Sequence, residues 1–297
     1  MSLHEKTVHW AGAPPVTRFA PSPTGALHLG HAFSAILSHD SARVLGGRFL
    51  LRLEDIDGGR CRPEFIAGIL EDLRWLGLTW DGPVLRQSER MALYRNHLDH
   101  LAGEGLLYPC FCTRKDIQEE IARSPSAPQG PDGPLYPGTC RALTPEDRAI
   151  RLATNSAHCL RLDMAKAIKR AGALSWTSVD SKGQETDIPA RPEAFGDVVL
   201  ARKDCPTSYH LAVTIDDASQ GVTLVVRGED LREATHVHRL LQALLNLPTP
   251  RYRHHRLLVD HRGRRLAKRD RATTLSSLRE SGETPQGIRR RIGPPFA

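Results

Sequence analysis

The sequence is poor in aromatic residues, which occupy only 5% of its 297 positions. That scarcity argues against a nucleic-acid binder that works mainly by stacking bases on rings. Long hydrophobic runs are missing too: no apolar stretch approaches the length needed to span a bilayer. The opening MSLHEKTVHW lacks the hydrophobic region of a secretory signal. No membrane association is therefore expected, and the cytoplasm is the expected compartment. Residues 1–15 carry no hydrophobic periodicity and read as a flexible leader. What the chain does have is 40% apolar composition, enough to bury the core of one large or two modest domains.

Six cysteines in a chain assigned to the cytoplasm point to metal ligation or buried thiols before disulfides. The formal net charge of +7 is unevenly placed. Between Arg251 and Arg271 nine Lys or Arg residues face only Asp260 and Asp270, and Arg289, Arg290 and Arg291 follow. Such a field suits a polyanion, although a solvated basic tail has the same composition.

The organising stretch runs from Thr17 to Gly47 as strand, polar turn and helix. Val16 to Ala20 is β-prone and Pro21 to Gly25 is turn chemistry. Phe33, Ile36, Leu37 and Val44 then recur at helical spacing until Gly46. His28, Gly30 and His31 fall at the first turn of that helix, where free backbone N–H groups and the helix dipole favour an anion such as phosphate.

The apolar run from Phe49 to Leu53 has the continuity of a buried parallel strand and ends in Glu54 and Asp55. In doubly wound folds ligands lie beyond the carboxyl ends of such strands, which places both carboxylates to meet one. The alternative for Glu54 is a structural ion pair with Arg52 or Arg60. Pro63 starts a helix whose Ile66, Ile69, Leu70 and Leu73 share a face, and a further helix is expected from Ser88 to Gly103.

Cys110 and Cys112 precede a loop rich in Pro, Ser and Gly, and Tyr136 and Cys140 close it. Three thiolates and a fourth donor can make a tetrahedral zinc site, but a lone CxC is equally compatible with paired buried thiols. Cys61, Cys159 and Cys205 show no comparable spacing and read as ordinary thiols. Residues 144–183 are uninformative. Strands are then expected at Asp197–Arg202 and Val222–Val226, with a helix capped near Ser208 between them. The second strand delivers Arg227 to its carboxyl end, and a helix carrying Val237, Leu240, Leu241 and Leu244 follows.

RFAPSPTG followed by HLGH resembles the signature of class I aminoacyl-tRNA synthetases of the glutamyl and glutaminyl branch. The resemblance implies an α/β fold, with a Rossmann-like doubly wound parallel sheet, a zinc-bearing insertion and a short C-terminal helical segment. On that reading the catalytic domain's halves are 16–105 and 196–250, the insertion is 106–195, and 251–297 holds a KMSKS-like loop and the basic end. The family's glutamate-binding positions match Arg18, Phe19, Ala20, Pro21, Ser22, Glu54, Tyr209 and Arg227. Its ATP-binding positions match His28, Gly30, His31 and Lys268, and its catalytic positions match His28, His31 and Lys268. Mg²⁺ would accompany ATP. The loop reads RLAKR, so Arg265 and Ala267 depart from the family pattern while Lys268 keeps its charge.

In the family branch that modifies queuosine, a CxC followed by YxxxC supplies Cys, Cys, Tyr and Cys to one structural zinc. Cys110, Cys112, Tyr136 and Cys140 match. The chain also stops about one short helix after Lys268, where a glutamyl-tRNA synthetase would continue into an anticodon-binding domain. Both features imply an ATP-dependent ligase, expected to be a monomer, that activates L-glutamate and transfers it to queuosine in tRNA(Asp). A truncated glutamyl-tRNA synthetase charging a 3′ end and a non-catalytic RNA-binding paralogue are the alternatives.

Overall fold

The computed structural model describes residues 12–123, 128–131, 133–259 and 273–293. It begins with β1 (Val16–Phe19), α1 (Leu29–Arg43), β2 (Arg48–Leu53), α2 (Pro63–Trp75) and β3 (Leu85–Arg86). The three strands pair in parallel in the order β1-β2-β3, with Arg18 beside Leu50. Pro63 occupies the first turn of α2, where its missing N–H costs nothing. The helix expected from Ser88 begins instead as a 3-10 turn at Gln87–Arg90, and α3 proper is Met91–Gly103. Asp55 explains that entry: its two oxygens accept from the Ser88 amide and hydroxyl, both at 2.8 Å.

Next come β4 (Leu107–Cys110), α4 (Arg114–Arg123), the two-residue pair β5 (Gln129–Gly130) and β6 (Gly133–Pro134), and α5 (Pro145–Ala153). β7 (Cys159–Leu162), α6 (Met164–Ala171), β8 (Ser175–Val179), β9 (Glu185–Pro189) and β10 (Val199–Ala201) follow. The chain continues with α7 (Tyr209–Ser219), β11 (Leu224–Gly228), α8 (Ala234–Leu244) and β12 (Arg251–His255). Two short helices, α9 (Leu275–Glu280) and α10 (Pro285–Ile292), end the described chain.

β11, β12 and β8 run parallel, and β9 closes the order β11-β12-β8-β9 as an antiparallel edge. The amide of Thr223, just before β11, donates to the Val16 carbonyl of β1 at 2.9 Å, so the two parallel halves meet along β1 and β11. This meeting of halves is where a doubly wound sheet opens its ligand crevice. Two strands sit differently from the sequence expectation. The strand at Val199–Ala201, expected in the second half of the catalytic sheet, pairs antiparallel with β7 in a separate sheet ordered β10-β7-β4. Conversely, β8 lies in the stretch whose sequence is uninformative and joins the main sheet. Apolar continuity marks a strand as buried but does not say which neighbour buries it.

Strand alternation sets the rest. Phe49, Leu51, Leu53, Leu224 and Val226 pack on one face with α1, α2, α9 and α10. Leu50 and Val225 face the other way, toward Trp176 and Tyr252. With a side-chain period of two, Arg18, Arg52 and Arg227 must share that second face. Among the described residues no helix is long and apolar enough to cross a membrane.

Candidate active site

Three guanidiniums on one sheet face need partners, because a buried charge without one is costly. Arg52 is fully buried and Arg18 nearly so, at 0% and 4% exposure. The Asp217 carboxylate of α7 lies between them, 2.9 Å from Arg18 Nε and 2.8 Å from Arg52 Nη1. Burial alone would raise the pKa of Asp217. Arg18 and Arg52 outweigh it and hold the carboxyl below the ordinary carboxylate range. The neighbouring Asp216 turns to the opposite side, accepting from Gln87, Arg90 and Tyr94 at 2.7–2.9 Å, and so staples α7 to α3. Glu54, at the end of β2, is 3.6 Å from Arg52 Nη2. Its pKa is raised, by burial first, although Arg52 and Arg18 pull the other way.

Arg227 is held in a different manner. Its Nη2 donates to Thr235 Oγ1 at 2.7 Å, Nε to His254 Nε2 at 3.3 Å, and Nη1 lies 3.2 Å from His238 Nδ1 and 3.4 Å from the Tyr209 hydroxyl. His210 Nδ1 in turn meets His238 Nε2 at 3.2 Å. Burial, and then the adjacent Arg227, push the three histidines down: His210 to about 4, His254 to about 2, and His238 well below its usual value. All three are therefore neutral at pH 7, and His238 and His254 can accept from the guanidinium without cancelling its charge.

Arg18, Phe19, Ala20, Pro21, Ser22, Glu54, Tyr209 and Arg227 line a single cavity of about 410 Å³, together with His31, Thr24, Ser34 and Leu231. The structure thus brings together all eight residues matched to glutamate binding. His31 borders the same cavity, whereas His28 and Gly30 are not among its walls. His28 is the N-cap of α1: its Nδ1 accepts from the Gly30 amide at 3.1 Å, and His31 Nδ1 accepts from the His28 amide at 3.2 Å. An Nδ1 that accepts leaves Nε2 as the ring nitrogen that carries a proton and can donate. His28 also forms a bridge with Thr274, which ties the start of α9 to the head of α1. Lys268, with Arg265 and Ala267, lies outside the described residues.

Of the two carboxylates expected to meet a ligand, Asp55 does not. It is buried and engaged by Ser88, which leaves Glu54 alone on the cavity side. Asp217, Thr235, His210, His238 and His254 are not singled out by sequence reasoning. A clue exists in Arg52, a charge inside an apolar strand that demands a buried carboxylate. Nothing local points to the imidazoles around Arg227.

The second constellation is sulfur-rich. The Sγ atoms of Cys110, Cys112 and Cys140 all lie within 4.8 Å of one another. The Tyr136 hydroxyl is 3.4 Å from Cys110 Sγ and 3.6 Å from Cys112 Sγ, and accepts from the Cys140 amide at 2.8 Å. Arg161 covers the Tyr136 ring at 3.8 Å. A hydrogen bond from Cys159, with further help from Tyr136 and Arg161, lowers the Cys110 thiol far below the ordinary range, toward the thiolate a metal needs. Three converging thiols and a phenol oxygen make a donor set suited to tetrahedral zinc. Cys159, read from sequence as an ordinary thiol, is instead paired with Cys110 across β4 and β7 and belongs to the same cluster. It is brought there by the pairing of β4 with β7 rather than by spacing along the chain, so no motif marks it.

Comparison with known proteins follows the same lines. A family model described as the catalytic domain of the class I tRNA synthetases (E and Q) matches residues 15–293. A glutamyl-Q tRNA(Asp) synthetase of Rhodobacter capsulatus is 54% identical over 291 residues, covering 94% of this chain and 99% of the relative. A glutamyl-Q tRNA(Asp) synthetase of Symbiobacterium thermophilum is 44% identical, covering 91% of this chain and 83% of the relative. Among solved structures, a glutamate tRNA ligase of Elizabethkingia meningosepticum in complex with its amino acid superposes with a TM-score of 0.70 at 27% identity. That match covers 87% of this chain and 52% of the ligase.

Proposed function

Because the chain belongs to the catalytic-domain family of the class I glutamyl and glutaminyl tRNA synthetases, we propose that it is an ATP-dependent ligase that activates L-glutamate and transfers it to the queuosine base of tRNA(Asp). The observation that carries the substrate is the charge balance of the cavity. Among the described residues the carboxylates within ion-pair distance of Arg18, Arg52 and Arg227 are Asp217 and Glu54, so with both ionised the buried set holds one positive charge in excess. L-Glutamate brings one net negative charge and would cancel it; glutamine would not.

In this reading Glu54 accepts from the substrate ammonium, and Arg227, whose charge its partners leave intact, grips the side-chain carboxylate with the Tyr209 hydroxyl. Burial raises the pKa of that phenol, so it stays protonated and able to donate. Arg18, already engaged by Asp217, helps orient the α-carboxylate. That carboxylate attacks the α-phosphorus of ATP, forming the mixed anhydride as pyrophosphate leaves with the broken P–O bond. A hydroxyl of the queuosine diol then attacks the acyl carbon, and AMP leaves. Protein chemistry here is positioning and charge neutralisation. His28 and His31 would donate through Nε2 to the phosphates, and Lys268 would meet the charge that develops on the leaving pyrophosphate. Mg²⁺ bound with ATP would supply further charge neutralisation.

The test of the whole reading compares queuosine-containing with queuosine-free tRNA(Asp), both with intact 3′ ends, as acceptors of labelled glutamate. Transfer should require the modified base; equal labelling of both would reject it in favour of 3′-end charging. Lys268→Ala should lower glutamate-dependent pyrophosphate exchange by about 10²- to 10³-fold, with a much smaller change in glutamate KM. An equal loss in both would remove Lys268 from the transition-state role.

We also assign one structural zinc to Cys110, Cys112, Tyr136 and Cys140, on the strength of their convergence around a common point. Cys140→Ser should purify with markedly less zinc than the parent, and thermal unfolding should shift downward. Full metal retention would exclude Cys140 from the ligand set. A monomeric state and a cytoplasmic location complete the proposal.

A further inference from the structure

A second cavity lies between the sulfur cluster and the loops that lead to the glutamate pocket. Its volume is about 890 Å³, and it is open to solvent along one side. Five cationic side chains line it: Arg60 from the loop after β2, Arg114 at the start of α4, Arg161 of β7, and Arg202 and Lys203 between β10 and α7. Among the described lining residues two carboxylates, Asp57 and Asp204, stand against them. Asp57 bridges Arg60 at 2.7 Å and Arg202 at 3.5 Å, and Asp204 pairs with Arg202 at 2.6 Å. Arg114 and Lys203 have no carboxylate within ion-pair distance among the described residues. Lys203 is held at the rim through a 2.9 Å hydrogen bond to the Phe111 carbonyl.

Position matters as much as charge. Asp57 and Arg60 follow Glu54 by a few residues, and Lys203 precedes Tyr209 by a few, so two segments that line the cleft continue into walls of the glutamate pocket. Among the described residues that line the cleft there is no aromatic ring. A basic groove without stacking platforms recognises phosphates rather than bases.

We propose that this cleft holds the sugar-phosphate backbone of the RNA stretch that carries the acceptor base, with Arg114 and Lys203 as the principal phosphate-binding side chains. This rests on the reading of the protein as an RNA-glutamylating ligase and adds the surface that presents the RNA to it. Arg60 and Arg202 are pre-oriented by Asp57 and serve the same backbone more weakly, because their charge is partly spent. Discrimination between bases takes place elsewhere, so affinity contributed by the cleft is independent of the modification itself.

The experiment uses the full-length enzyme carrying Arg114→Glu, Lys203→Glu or both. Each single reversal should raise the KM for queuosine-containing tRNA(Asp) by about five- to tenfold, and the double variant should raise it further. The slope of log affinity against log salt should shrink by about one for each phosphate that the variant no longer neutralises. Glutamate-dependent pyrophosphate exchange without RNA and zinc content should stay at parental levels, which separates weakened RNA binding from a damaged fold. Asp204→Asn, which frees Arg202, should lower the KM. Unchanged KM and salt slope in the double variant would overturn the proposal, as would an equal loss of RNA-independent exchange. Should the parent enzyme transfer no glutamate to the modified tRNA, the functional reading falls instead. Direct binding of that tRNA to parent and variants, read by fluorescence anisotropy, then still decides whether the cleft is an RNA surface, and preserved binding by the double variant would refute it.

Discussion

Replacing Arg227 by Gln should lower kcat/KM for glutamate in pyrophosphate exchange by about 10²- to 10⁴-fold, the cost of deleting one partner of a desolvated charge pair. The preference for glutamate over glutamine should collapse with it. The reason is the company Arg227 keeps: a hydroxyl and two neutral imidazoles at 2.7–3.3 Å, which fix its plane and leave its charge unspent. A companion variant tests that cause directly. His238→Glu places a carboxylate where a neutral acceptor now stands, and should raise glutamate KM nearly as far as removal of the guanidinium, while His238→Gln keeps an acceptor and should cost much less. Glutamate KM within about threefold of the parent in Arg227→Gln would take Arg227 out of substrate recognition.

The second large effect belongs to Asp217. Asp217→Asn leaves Arg18 and Arg52 without their shared counter-charge in a buried setting, a loss of about 3–5 kcal/mol of folding stability. Urea unfolding at pH 7 measures it. The pH dependence has a definite sign. The folded-state pKa of Asp217 lies below its unfolded value, so its contribution is fully present above about pH 4 and fades as pH falls through the depressed folded value. The stability gap between parent and variant should therefore be constant from pH 5 to 8 and narrow only in strong acid. A gap that vanishes already at pH 6 would assign the effect to another group. Activity should fall as well, because Arg18 loses the partner that orients it.

Both outcomes turn on residues of unequal visibility in the sequence. The turn and helix from Pro21 to Arg43 are legible there, since proline and glycine punctuate and histidine caps through local contacts alone. The cysteines are visible as spacing, yet Cys159 is not, because its link to Cys110 runs across a strand pair rather than along the chain. Asp55 misleads for a related reason: it ends the strand beside Glu54, but its oxygens are taken by Ser88, 33 residues onward.

By itself the sequence determined which side chains could share a face. Arg18, Arg52, Glu54 and Arg227 fall on or just beyond strands whose apolar neighbours set the parity, and that holds whatever the strands pair with. Only the tertiary structure decided that β1 and β11 lie side by side, that α7 lowers one carboxylate between two arginines, and that two histidines, one of them backed by a third, hold the last arginine. Strand neighbours and helix docking depend on contacts between residues some 200 positions apart, and no local pattern encodes the partner of a buried charge.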